Sequence, residues 1–315
     1  MIGHRVWTPG LDVTDGRHDR GRNGIWLQHG WLGADEWFRR QRPRERIAAF
    51  RDPVNIQALA SLLRAQHITD VFPHVSPADS DGDLPAVDHA QVERFLDAFS
   101  GFRVMPWTGG VLDRTCHIRD PKWRRRFVQS IVALLVRHPR LAGVHINVEP
   151  CPSGNPHFLT LLDELRQALP SGRLLSVAAY PPPLWWQPFP DVHWDEAYVR
   201  AVARRADQLA VMMYDTGLPW PRVYQYVMRK WTREVLAWGA PTSILLGVPS
   251  YDDAGAGYHN PKVENLANAL LGIHAALDAH PTLPVHYQGV AIYCEWEMDP
   301  SEWEHWRQHF LRGAP

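Results

Sequence analysis

Cysteine is scarce in this chain: Cys116, Cys151 and Cys294 are the only three in 315 residues, an odd number without C-x-x-C spacing. That argues against a disulfide scaffold or a thiolate zinc site and fits a reducing compartment. Charge of one sign is also missing, since 33 Lys and Arg face 34 Asp and Glu for a formal net charge of −1. Without a basic excess to hold a phosphate backbone, nucleic acid is not an expected partner. No apolar run approaches the roughly 20 residues of a membrane helix, and the first 24 residues contain no apolar signal-peptide core. The expectation is a cytoplasmic protein with no membrane partner; the oligomeric state stays open. G-x-G-x-x-G, P-loop, G-x-S-x-G and H-E-x-x-H patterns are absent, so no cofactor and no metal is expected. The basic runs 39–46 and 124–126 read as solvated surface, given the balanced charge.

What the chain does have is 15 Trp and 27 Pro. Tryptophan suits both packing and the stacking of sugar rings. Short apolar runs alternate with segments of helical spacing along nearly the whole chain. Strands are expected at 24–27, 68–72, 103–106, 141–148, 174–178, 208–213, 244–248 and 289–293. Helices are expected near 54–65, 90–99, 122–137, 156–169, 194–205, 224–238, 262–279 and 301–311. Eight strands, each followed by a helix, give an α/β protein with a single (β/α)8 TIM barrel over 24–315 and residues 1–23 as an extension packed on it.

In such a barrel the chemistry sits at the carboxyl ends of the strands. Those ends carry His29 to Trp31, His74, Trp107 to Gly110, Glu149, Tyr180, Tyr214-Asp215, Tyr251-Asp252 and Tyr293 to Glu297. The fourth strand is the most informative. Alternation puts His145, Asn147 and Glu149 on one face and Val144, Ile146 and Val148 on the other. The apolar set should meet the helices, leaving three polar groups inward with Glu149 at the rim. A carboxyl there, half-buried among tryptophans, would have its pKa raised and could protonate a leaving group.

The segment Ala142-Gly143-Val144-His145-Ile146-Asn147-Val148-Glu149 resembles the D-G-x-D-x-D-x-E strand of family 18 glycoside hydrolases, the chitinases and related endo-β-N-acetylglucosaminidases. The glycine and the glutamate match; the three aspartates do not. Thr108-Gly109-Gly110, Met213-Tyr214-Asp215, Gly247-Val248-Pro249-Ser250-Tyr251 and Gly289 to Tyr293 with Trp296 to Asp299 resemble further landmarks of that family, in order. Ile146-Asn147-Val148-Glu149 is also similar to the I-N-I-E of family 85 endo-β-N-acetylglucosaminidases.

Both resemblances imply that the substrate's own 2-acetamido group is the nucleophile, so that the enzyme supplies an acid and an orienter. Glu149 would be the general acid and base, Asn147 would accept the acetamido N–H, Tyr214 would steady its carbonyl, and Asp215 would touch substrate. His145 is expected to orient Asn147. Trp26, Trp31, His74, Trp107, Tyr180, Trp220, Tyr251, Tyr293, Trp296 and Glu297 are candidates to line a glycan cleft. The expected partner is an oligo- or polysaccharide of β-linked N-acetylhexosamine. Three alternatives stand beside this reading: a lectin-like barrel, a glycosidase pairing Glu149 with Asp215, Glu295 or Glu297, and a metal site built from His29, His74 and His145.

Overall fold

The structure is a computed structural model that describes residues 10–41, 45–253 and 258–313. Nine strands form one sheet: β1 Asn23–Leu27, β2 Ile68–Pro73, β3 Arg103–Val104, β4 Trp107–Val111, β5 Gly143–Glu149, β6 Leu174–Ala179, β7 Gln208–Met212, β8 Ser243–Pro249 and β9 Tyr287–Tyr293. The described helices are α1 Glu36–Gln41, α2 Glu45–Arg51, α3 Pro53–Ala65, α4 His89–Ala98, α5 Pro121–Arg137, α6 Pro156–Ala168, α7 Glu196–Ala203, α8 Pro221–Gly239, α9 Leu266–Leu277 and α10 Pro300–His309. All strand pairs are parallel, in the order β3-β2-β1-β9-β8-β7-β6-β5-β4.

The two ends of that order are consecutive in the chain, so the sheet closes on itself. β3 and β4 are halves of one barrel strand, broken at Met105-Pro106 because proline has no N–H to give a ladder. The break is bridged on both sides: Met105 N donates to Val71 O at 3.0 Å, and His145 N donates to Pro106 O at 3.0 Å. This is the expected (β/α)8 barrel, with the third strand extending past 106 to Val111.

Many of the prolines start helices. Pro53, Pro121, Pro156, Pro221 and Pro300 each occupy a first-turn position, where the missing N–H costs nothing, and Asp52, Asp120, Asn155 and Asp299 cap four of these helices from the preceding position. Two helices start later than expected for the same reason. α7 starts at Glu196 and α9 at Leu266 because the Asp195 and Asn265 side chains accept from Tyr198 N and Asn268 N. Helices α1 and α2, after the first strand, were not expected. Arg124 is also not solvated as expected: it is buried, its guanidinium donating to Ile118 O at 2.8 Å and pairing with Glu164 at 3.0 Å.

Residues 10–22 run along the outside of the barrel. Leu11 N donates to Leu271 O at 3.0 Å, and His18 Nδ1 meets His274 Nδ1 at 2.8 Å. Residues 1–9 of the expected extension lie outside the described residues. Among the described residues no helix is long and apolar enough to cross a membrane.

Alternation on β5 sorts its side chains as the pattern requires. Val144, Ile146 and Val148 join the large core between sheet and helices, and a smaller core of Trp26, Phe72, Met105, Trp107, Ala210, Leu245 and Ala291 fills the barrel. Beside that inner core runs a chain of polar groups. The Trp26 indole N–H donates to His145 Nε2 at 3.1 Å, which leaves the imidazole hydrogen on Nδ1, facing Ser176 Oγ at 2.8 Å. Ser176 then donates to Gln208 Oε1 at 2.7 Å, and Gln208 donates to Asp70 at 2.6 Å. Arg103 closes the chain with two bonds to Asp70 at 2.5 and 2.7 Å. Every buried donor in this series meets an acceptor, the condition under which polar groups are tolerated in a core.

Candidate active site

β5 delivers Asn147 and Glu149 to the mouth of the barrel. Its neighbour β4 can lie close because it carries glycine: Gly109 has φ +138°, and a Cβ there would stand 1.7 Å from the Asn147 carbonyl oxygen. Gly109 is thus a backbone requirement of β4, where it lies against the strand that holds the site.

Asn147 Nδ2 donates to Glu149 Oε1 at 3.1 Å. The amide is thereby oriented, and its Oδ1 is buried without a hydrogen-bond partner. An unpaired buried acceptor is costly, and this one belongs to a residue that lines the cavity. Because the amide donates to Oε1, the acid proton of Glu149 belongs on Oε2. Burial raises the Glu149 carboxyl above its ordinary range; the Asn147 bond pulls it down and the charge of Asp215 pushes it further up. Such a group can hold a proton into the pH range where a general acid must work.

Tyr214 and Asp215 follow β7. Asp215 sits at φ +63°, in the left-handed region, and accepts a short hydrogen bond from the Tyr251 hydroxyl. His259 lies beside it, Nδ1 at 3.3 Å from Asp215 Oδ1, while its Nε2 donates to Tyr251 O at 3.0 Å. Burial disfavours the His259 charge, yet Asp215 and Glu264 outweigh it and raise its pKa. Glu264 is fully buried and accepts from Thr216 N at 2.7 Å, Gly217 N at 2.8 Å and Asn260 N at 3.1 Å, tying the loop after β7 to the loop after β8. Sequence reasoning missed both His259 and Glu264, which stand in a loop with no motif spacing to mark them.

Tyr293 is the centre of an aromatic cage. It stacks on Tyr214 with centroids 5.4 Å apart and meets the edges or faces of Tyr251 at 5.3 Å, Trp296 at 5.7 Å, Trp26 at 5.8 Å and Trp107 at 6.2 Å. These rings, with Asn147, Glu149, Asp215, Asp253 and Glu297, line an inner cavity of about 280 Å³. An outer cavity of about 610 Å³ shares Glu149, Met212, Tyr214, Asp215 and Tyr258 with it and adds Tyr180, Pro181, Phe189 and Val192.

Ten of the fifteen expected residues therefore line the inner cavity: Trp26, Trp107, Asn147, Glu149, Tyr214, Asp215, Tyr251, Tyr293, Trp296 and Glu297. Tyr180 lines the outer one. Four lie elsewhere. His145 does not touch Asn147 through its ring nitrogens, which Trp26 and Ser176 occupy, and burial lowers its pKa to about 3, so it is a neutral core residue. Those same bonds remove it from any ligand set shared with His29 and His74. His74 packs between His29, centroids 3.6 Å apart, and Trp107 at 4.0 Å. Trp31 is buried against Phe50 and Phe95, and Trp220 is exposed at the start of α8. Glu295 lines neither cavity. No cluster of three or more His, Cys, Asp or Glu suited to a metal occurs among the described residues.

No curated protein matches the sequence. Solved structures share its fold at low identity. The spore cortex-lytic enzyme SleL of Bacillus cereus superposes with a TM-score of 0.61 at 13% identity, covering 93% of this chain and 75% of that one. A chitinase from Chromobacterium violaceum gives 0.59 at 15% identity, covering 91% and 98%. A fungal endo-β-N-acetylglucosaminidase gives 0.56 at 13% identity, covering 91% and 95%. The sequence profile described as Glycosyl hydrolases family 18 matches residues 64–306, from the end of α3 to within α10 and so across β2 to β9 with all their strand ends. With most of its length matched, the chain belongs to glycosyl hydrolase family 18 and is a glycosidase.

Proposed function

We propose that the enzyme cleaves glycans containing β-linked N-acetylhexosamine by a retaining mechanism in which the substrate's 2-acetamido oxygen attacks the anomeric carbon. The observation that carries this reading is the divided role of Asn147: one end of its amide is held by Glu149 at 3.1 Å, and the other is a buried acceptor with no partner. An acetamido N–H is the complement of that acceptor. Bound there, its carbonyl oxygen would be aimed at C1, and fixing that geometry in advance removes much of the entropy of the attack. Tyr214 would donate to the same carbonyl; burial keeps its hydroxyl protonated. Glu149, protonated on Oε2, would give its proton to the glycosidic oxygen as that bond breaks. As a carboxylate it would then draw a proton from the water that opens the oxazolinium, returning the original configuration.

Of the carboxylates named for a two-carboxylate mechanism, Glu295 lines neither cavity and the other two have partners of their own. Asp215 Oδ1 holds the Tyr251 hydroxyl and faces His259, and Glu297 accepts from Asp252 N at 3.0 Å. The similar structures described as chitinases and as an endo-β-N-acetylglucosaminidase support the same substrate class. An amide cannot neutralise the positive oxazolinium as a carboxylate would, so a smaller electrostatic contribution is expected, with slow hydrolysis as the result.

The test is calorimetric binding of N-acetylglucosamine thiazoline, a stable mimic of the oxazoline. Wild type should bind it tightly and Asn147→Ala should lose at least tenfold. No binding to wild type would refute the acetamido reading.

A further inference from the structure

Glu149 lies on the wall between two cavities of different character. The inner one contains Asn147 and is therefore, on the reading above, where the N-acetylhexosamine being attacked must sit. The group that leaves with the glycosidic oxygen must then sit across Glu149, in the outer cavity. Most of the walls there are hydrocarbon: Val111 from β4, Pro181, Phe189 and Val192 from the long loop after β6, and Met212 from β7. Val111, Phe189 and Val192 are 41%, 53% and 37% exposed, and Tyr258, at 60%, closes the same rim. Thus four of the ten large apolar side chains left exposed among the described residues line this one cavity. Grouping of that kind marks a binding surface more than ordinary scatter does.

Three of the polar side chains beside these walls already have partners within the protein. Gln187 Nε2 donates to Thr216 O at 2.7 Å, His193 Nδ1 faces Phe189 O at 3.2 Å, and Thr216 Oγ1 accepts from Leu218 N at 3.3 Å. No Lys or Arg lines the cavity. A second sugar placed here would find polar partners only on the side of Glu149, Asp215 and the tyrosines and would bury its remaining hydroxyls against hydrocarbon, which is unfavourable, whereas a hydrocarbon group would bury apolar surface on both sides. We infer that the leaving-group side of this enzyme selects an apolar aglycone, alkyl or aryl in character, in preference to another sugar, with Phe189 and Val192 as the residues that set the preference. This inference rests on the N-acetylhexosamine reading and adds to it the chemistry of the other half of the substrate.

The test compares two ligands with the same N-acetyl-β-glucosaminyl group, one carrying a cyclohexylmethyl aglycone and the other a second N-acetylglucosamine. Binding is measured by calorimetry on the Glu149→Gln protein, so that turnover does not intervene. The cyclohexylmethyl glycoside should bind at least tenfold more tightly. Phe189→Asn and Val192→Asn, exposed positions where a polar side chain does not disturb the fold, should each remove most of that margin while changing the disaccharide's affinity less than twofold. Tight binding of the thiazoline together with equal or better binding of the disaccharide overturns the inference and leaves the proposed reaction standing. Failure of both glycosides and of the thiazoline removes the reaction, and the inference falls with it.

Discussion

A methyl group on Gly109 would stand 1.7 Å from the carbonyl oxygen of Asn147, closer than any non-bonded contact allows. The backbone of β4 is thus part of what fixes the site on β5. Gly109→Ala should cost about 1–3 kcal/mol in backbone strain alone, and further stability as the two strands separate. It should lower turnover well beyond the loss of folded protein, because Asn147 moves with its strand. Thermal melting and activity per folded molecule measure the two effects separately; an alanine variant with wild-type activity would show that Asn147 needs no such placement.

The alkaline limb of kcat/KM should report the Glu149 acid, which works only while protonated. Asp215 holds that pKa up and Asn147 draws it down. Asp215→Asn should therefore move the limb to lower pH, and the residual activity of Asn147→Ala should show it at higher pH. A profile that both substitutions leave in place would assign the limb to another group.

Glu295 follows the last strand and packs beside Trp31, with Oε2 buried and unpartnered. Burial raises its pKa to about 7, eased by Trp31 and the backbone of Gln28. The folded state thus holds a proton that the unfolded chain releases near 4.5, the ordinary value, and wild type loses this stability as pH rises from about 4.5 to 7. Glu295→Gln mimics the protonated form. It should melt several degrees above wild type at pH 8, with the gain shrinking as pH falls below 7. A constant difference across pH would contradict the assignment.

The barrel and the centre of its site were legible in the sequence because two simple periods carry them. Alternation on β5 separates Val144, Ile146 and Val148 from Asn147 and Glu149, and the βα rhythm places each strand end at one mouth. What was not legible depends on contacts between distant strands. His145 shares the inward face of Asn147 but lies deeper, where Trp26 and Ser176 take its nitrogens. Trp31 and His74 also follow strand ends, yet they pack against Phe50, Phe95, His29 and Trp107 instead of lining the cleft. His259 and Glu264 come from an irregular loop, and only the folded chain brings them to Asp215 and to the backbone after it.

The central claim is that the acetamido oxygen of the substrate makes the first bond to C1. It is tested most directly by kcat/KM for glycosides of one aglycone whose N-acetyl group carries zero, one, two or three fluorines. Fluorine withdraws electrons from the carbonyl oxygen without altering the leaving group. The account predicts a steep fall along the series, by orders of magnitude from acetyl to trifluoroacetyl. A flat series would mean that the acetamido group is not the nucleophile, and would contradict the account.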